Sequence, residues 1–151
     1  MSIQLNVRDP QIQVGQAIER SPETVLSGFI KADSVATFAP AVGVVIAGSE
    51  NGVMVFEKAL ATSKDIYFIK YEVGKTVYGV SSLRDRGIAA MGSENEMYMT
   101  AGAAITAGAR LEIVPASNKV ITNAGINTVI GIALSNANAN GDVIRVKIKQ
   151  I

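Results

Sequence analysis

The sequence predicts an all-β fold: a single-domain β-barrel or jelly-roll-like sandwich of short antiparallel strands with an extended N-terminal arm. Three observations lead there. Short alternating or apolar segments recur at roughly even spacing, Gly-rich turn chemistry separates them, and no long amphipathic helical pattern occurs. At 151 residues, 48% of them hydrophobic, the chain is long enough to bury a core without disulfides or metals. No Pro- or Ser-rich linker divides it, so two regions are expected: an arm over residues 1–22 and a barrel or sandwich over residues 23–151.

The elements follow in chain order. Met1 to Arg8 alternates with period two, Ile3, Leu5 and Val7 pointing one way and Gln4, Asn6 and Arg8 the other. Asp9-Pro10 ends it. Such a terminal strand either pairs within its own barrel or adds to a neighbour's sheet edge. In Gln11 to Arg20, Ile12 and Val14 continue a strand pattern while Gln16 to Arg20 is more helix-like. Ser21-Pro22 then breaks the chain or caps a single helical turn.

Thr24 to Lys31 reads as the first barrel strand. Val42 to Ala47 is a continuous apolar run, expected to be buried on both faces. Gly48 to Gly52 is turn chemistry with Asn51-Gly52 at its tip, so Val42 to Lys58 reads as a hairpin. Lys58 to Asp65 is too short for a helix assignment. Ile66 to Val73 is aromatic and β-branched, and Gly74-Lys75 turns into Thr76 to Ser81. Leu83 to Gly87, with Arg84, Asp85 and Arg86, reads as an exposed charged loop. Met97 to Thr100 and Ala103 to Thr106 are short segments around Gly102 and Gly108. Arg110 to Val114 and Lys119 to Thr122 are strands about a turn at Pro115 to Asn118. Thr128 to Leu134 is strongly apolar, and Asn136 to Gly141 is a turn. The last strand is the clearest: Ile144, Val146 and Ile148 face one side, Arg145, Lys147 and Lys149 the other. The basic row is either a solvated face or a surface that meets an acidic neighbour.

Composition excludes several functions. A formal net charge of +1 argues against a nucleic-acid or membrane-surface binder, both of which need basic patches. Charged residues make up 18%, below the usual ~25%, which fits either a surface partly covered by partners or a small, well-packed barrel with many Ala and Gly. The chain has no Cys and no His, which removes the usual zinc, copper and iron ligand sets and the His-based nucleophile systems. Residues 1–14 lack the apolar segment of a signal peptide, and no apolar run is long enough to span a bilayer.

Four motifs suggest chemistry, and each has a plainer reading. Gly74-Lys75-Thr76 looks like the end of a phosphate loop, but Ile69 stands where the first Gly belongs and the context is a hairpin. Asn136 to Asp142 alternates oxygen side chains as a calcium loop does, but mostly with neutral amides, and Lys147 occupies the closing position. Glu50, Glu94 and Glu96 lie in polar, turn-like stretches where solvated carboxylates are the norm. Gly48 to Asn51 recurs as Gly92 to Asn95, a duplication remnant or a shared turn. Aromatics are 5% with no Trp, so Tyr67, Phe68 and Tyr71 read as packing rather than as stacking platforms. No catalytic residue, cofactor or metal ligand is expected.

Ala101 to Gly108 followed by Leu111-Glu112-Ile113 is similar to a segment of phage head proteins. More specifically, Thr128 to Leu134, a small polar loop, and Gly141 to Val146 resemble the C-terminal hairpin of the structural cement (head decoration) proteins of tailed bacteriophages, where such a hairpin closes the barrel. Val42 to Gly48 resembles that family's early buried strand, and the resemblance extends from Gly28 to Ile148. It implies a non-enzymatic homotrimer on the outer capsid surface of the virion, assembled in the host cytoplasm, that ties major capsid proteins together. Alternatives are another virion subunit (tail tube or fibre base) and a small ligand- or glycan-binding β-domain. The expected contact residues are Ile3, Leu5, Val7 and Arg8 in the arm and Arg84, Asp85 and Arg86 in the charged loop.

Overall fold

A computed structural model describes residues 14–16, 24–30, 39–69, 86–91 and 96–148. Ten strands run through them: β1 (Thr24–Ile30), β2 (Gly43–Glu50), β3 (Val53–Lys58), β4 (Tyr67–Ile69), β5 (Arg86–Met91), β6 (Glu96–Thr100), β7 (Arg110–Val114), β8 (Lys119–Thr122), β9 (Gly131–Ala133) and β10 (Val143–Ile148). The described residues contain no helix, so the fold is all-β, as expected. Of Lys58 to Asp65, Lys58 ends β3 and the rest is turn and irregular backbone.

Two layers result. Strands β1-β3-β2-β4-β5 close into a ring, and β6-β10-β9-β7-β8 form a second sheet. All ring contacts are antiparallel except β1 with β3, where Phe29 lies opposite Val55 and Ile30 opposite Phe56 in parallel. This departs from the purely antiparallel expectation, and counting explains it. Five strands cannot alternate direction around a closed ring, so one neighbouring pair must run the same way.

The β2–β3 hairpin follows the sequence reading. Asn51 (φ 53°) and Gly52 (φ 77°) both take left-handed backbone, the conformation that a tight two-residue hairpin turn requires. The strand extends further toward the turn than expected, with a bulge between Ile46 and Gly48. Burial of the apolar run is partial. Val42 and Val44 are buried, whereas Ile46 is 43% exposed and the strand is exposed from there to Glu50.

Strand β4 is where the layers join. Tyr67, Phe68 and Ile69 are all buried. Ile66 and Phe68 belong to the core of the second sheet, while Tyr67 meets Phe56 edge to face at 6.3 Å. The shared core takes Met97 and Met99 from β6, Leu111 and Ile113 from β7, Val120 from β8, and Ile144, Val146 and Ile148 from β10. The alternation read in the last strand therefore holds, with Arg145 exposed and Lys147 half-buried between buried residues.

The Gly131 to Val146 hairpin sits in the second sheet, not in the closed ring, so the expectation that it closes the barrel is corrected. Its β9–β10 register places Val146 opposite Ala133. Gly131 is required there: a Cβ at this position would lie 2.2 Å from the Lys147 carbonyl oxygen. The second sheet also curls. Ala101, just after β6, bridges Val120 of β8 in parallel, and Gly102 donates its N–H to the Val120 carbonyl at 2.8 Å. Short three- and four-residue strands permit this, since little ladder has to bend.

Arg86 opens β5 opposite Phe29, so the last two residues of the charged loop expected over Leu83 to Gly87, Arg86 and Gly87, are strand residues. Ile3, Leu5, Val7, Arg8, Arg84 and Asp85 lie outside the described residues. So do Lys31, Lys70 to Val73, Gly74-Lys75, Thr76 to Ser81, Gly92 to Asn95 and Lys149.

Candidate functional site

Residues 14–16, within the segment expected to be an arm, lie on the molecule's own sheet. Gly15 donates its N–H to the Tyr98 carbonyl at 2.7 Å, and Tyr98 donates its N–H to the Gln16 carbonyl at 3.1 Å. Strand β6 is the edge of the second sheet, so these two bonds occupy backbone groups that would otherwise template a neighbour. Val14 packs against the core beside them.

On the outer face of β6 and β10, Arg145 approaches Glu96 at 3.5 Å, and Lys147 lies opposite Glu96 in register. The basic row thus has an acidic counterpart on its own neighbouring strand. Glu96 is a strand residue, not the turn residue that its polar surroundings suggested.

The Asn136 to Asp142 loop uses its oxygens on protein donors. Asp142 Oδ2 accepts from the Asn138 and Ala139 N–H groups at 2.8 and 3.1 Å, Asn136 Oδ1 accepts from the Ala107 N–H at 2.7 Å, and Asn140 Oδ1 accepts from Lys119 Nζ at 2.8 Å. With Asp142 holding two amides of its own loop, the arrangement is a self-capped turn.

A buried acid forms the most developed polar site. Glu112 on β7 is 4% exposed. Its Oε1 accepts from the Ala124 N–H at 3.0 Å and from Asn123 Nδ2 at 3.4 Å, and its Oε2 accepts from Asn127 Nδ2. Asn123 also donates to the Asn127 carbonyl at 3.0 Å and accepts from the Gly125 N–H at 2.9 Å. The β8–β9 loop is thereby fastened over the carboxylate. It is fastened to a second loop as well. Thr128 donates its N–H to the Ala61 carbonyl at 3.0 Å and its hydroxyl to the Ser63 carbonyl at 2.7 Å. Ser63 Oγ in turn accepts from the Leu60 N–H at 2.9 Å.

Sequence reading missed Glu112. By strand alternation it shares a face with Arg110 and Val114, opposite to Leu111 and Ile113, and reads as solvated. The available signal was the pair of amides four residues apart, Asn123 and Asn127, bracketing Gly125 just after a strand that pairs with β7. It becomes informative only once Glu112 is known to lie opposite Ile121.

A seam cavity of about 10 Å³, lined by Ala59, Met99, Ile113, Pro115 and Asn118 among others, has room for about one water. The Asn118 Oδ1 atom is buried without a hydrogen-bond partner.

A family model described as phage cement protein matches residues 73–148, a span that takes in β5 to β10. The early strand at Val42 to Gly48 precedes that span. No curated protein sequence matches the chain. Among solved structures the chain is similar to the N base of the head fiber gp8.5 in bacteriophage phi29. The two share 14% identity at a TM-score of 0.56, over 86% of this chain and 98% of that one. At that identity the likeness is one of fold.

Proposed function

We propose a function from one premise: the chain belongs to the phage cement protein family and is a virion structural protein associated with the phage head. In this reading it binds the outer surface of the head as a homotrimer, performs no catalysis, and stabilises contacts between major capsid subunits. The observation that carries the reading is the family match over residues 73–148, which covers the whole second sheet. The physics is compatible. A closed ring welded to a curled sheet through β4 is stiff, so little conformational entropy is lost on docking. Three copies of one modest contact would add to high avidity. The arm residues Ile3, Leu5, Val7 and Arg8 and the charged residues Arg84, Asp85 and Arg86 remain proposed contacts, as does the division into an arm over 1–22 and a domain over 23–151.

A second reading is favoured by the neighbour's description as the base of a head fiber. There the same fold would seat on the head and carry a projecting segment. Sedimentation velocity of the purified chain, co-sedimentation with heads assembled without it, and imaging of decorated heads separate these readings. A trimer with compact density at three-fold positions supports the cement reading. A projecting fibre supports the second, and failure to bind heads refutes both.

A further inference from the structure

The sequence contains Asn-Gly twice, at Asn51-Gly52 and at Asn140-Gly141. This dipeptide can modify itself, because glycine has no Cβ to shield its nitrogen from the neighbouring carboxamide. All four residues are exposed, so exposure does not separate the two copies. Hydrogen bonding does. Gly141 donates its N–H to the Ala101 carbonyl at 2.8 Å, and Asn140 Oδ1 accepts from Lys119 Nζ at 2.8 Å. The nitrogen that would attack and the carboxamide it would attack are both engaged. The bonds from the Asn138 and Ala139 N–H groups to Asp142 brace the same loop.

Asn51-Gly52 lacks such restraints. Among the described residues, neither the Asn51 carboxamide nor the Gly52 N–H has a hydrogen-bond partner. The pair forms the tip of the β2–β3 hairpin, where Glu50 lies opposite Val53. Both residues take left-handed backbone, at φ 53° and φ 77°, and a Cβ built on Gly52 would meet nothing within 4 Å. Bringing the Gly52 nitrogen onto Asn51 Cγ takes rotation of the Asn51 backbone. A hairpin tip with open space over it permits that rotation by local opening, without disturbing the core.

We propose that Asn51 is a site of spontaneous modification, deamidating through a cyclic imide, and that the fold protects Asn140 from the same reaction. Hydroxide removes the Gly52 amide proton, and the nitrogen attacks Asn51 Cγ. The N–Cγ bond forms, the Cγ–Nδ2 bond breaks, and Nδ2 leaves as ammonia with a proton returned from water. Water then opens the imide, with no change of oxidation state. Opening at Cγ leaves aspartate, and opening at the Asn51 main-chain carbonyl leaves isoaspartate. Aspartate keeps the turn, since Asp-Gly suits the same conformation, but sets a second carboxylate beside Glu50. Isoaspartate puts an extra carbon into the backbone and breaks the tight turn. The exposed hairpin tip therefore gains negative charge with age, whatever the protein binds.

The test incubates the purified full chain at mildly alkaline pH, in native buffer and in urea, and follows each Asn-Gly peptide by mass spectrometry. In native buffer Asn51 should react at least about tenfold faster than Asn140, which must first break the Gly141 bond to Ala101 and leave Lys119. In urea the two rates should converge, because both pairs then lie in unfolded chain. Asn51→Gly keeps a residue suited to left-handed backbone, so it should melt as wild type does and lose the acidic species that wild type accumulates on isoelectric focusing. Equal rates in native buffer, or a faster Asn140, overturn the proposal. An Asn51 that reacts only in urea overturns it as well, since the turn itself would then lock the pair. So does an undiminished acidic species in Asn51→Gly.

Discussion

Replacing Glu112 with alanine removes the acceptor on which the β8–β9 loop is built, and its cost can be worked from the geometry. Two of the three bonds to the carboxylate are close, those from the Ala124 N–H and from Asn127 Nδ2. The third, from Asn123 Nδ2 at 3.4 Å, is long and contributes least. A hydrogen bond to a charged group contributes about 1.5 kcal/mol or more, which puts the two close ones at about 3 kcal/mol. Losing part of the buried side-chain stem adds about 1 kcal/mol. Glu112→Ala should therefore destabilise by about 4 kcal/mol, or roughly 10 °C in melting temperature for a chain of this size. Glu112→Gln keeps one acceptor oxygen, and Asn127 can turn its amide to meet the new donor, so about half the loss should be recovered. Urea unfolding of both variants gives the energies, and hydrogen exchange at Ala124 and Gly125 reports the loop directly. A loss below about 1 kcal/mol for alanine, or equal losses for alanine and glutamine, would refute the claim that a buried carboxylate holds this loop.

Three further outcomes are expected. Gly131→Ala puts a Cβ into the Lys147 carbonyl and should cost about 3 kcal/mol by forcing β9 and β10 apart, read as a lower urea midpoint. Phe68→Ala empties the point where ring and sheet meet. It should cost about 4 kcal/mol in a single cooperative unfolding transition, whereas separate transitions would mean that the layers fold independently. Arg145→Ala should change stability by less than about 0.5 kcal/mol, since its contact with Glu96 is 3.5 Å long and Arg145 is half-exposed. A larger loss in thermal melting would contradict the view that this pair is a surface contact.

What the residues determine by themselves is local. The alternation of Ile144, Val146 and Ile148 specifies a one-faced strand wherever that strand is placed, because neighbouring side chains on extended backbone point opposite ways. Asn51-Gly52 specifies its hairpin because few other residues tolerate left-handed backbone there. The Pro115 to Asn118 turn is legible for a similar reason, with Asn118 at φ 57°. Repeated, these signals are enough to reach the all-β class. Tertiary structure alone decided the rest. Ring closure forces β1 to run parallel to β3, and no residue in either strand encodes that. The three-residue β4 is buried on both faces only because a second sheet packs behind it. Glu112 has a polar strand position and acquires its role only when a loop eleven to fifteen residues later folds over it. Side-chain direction and turn conformation are fixed within a few residues, whereas burial and partnership depend on which distant segments arrive.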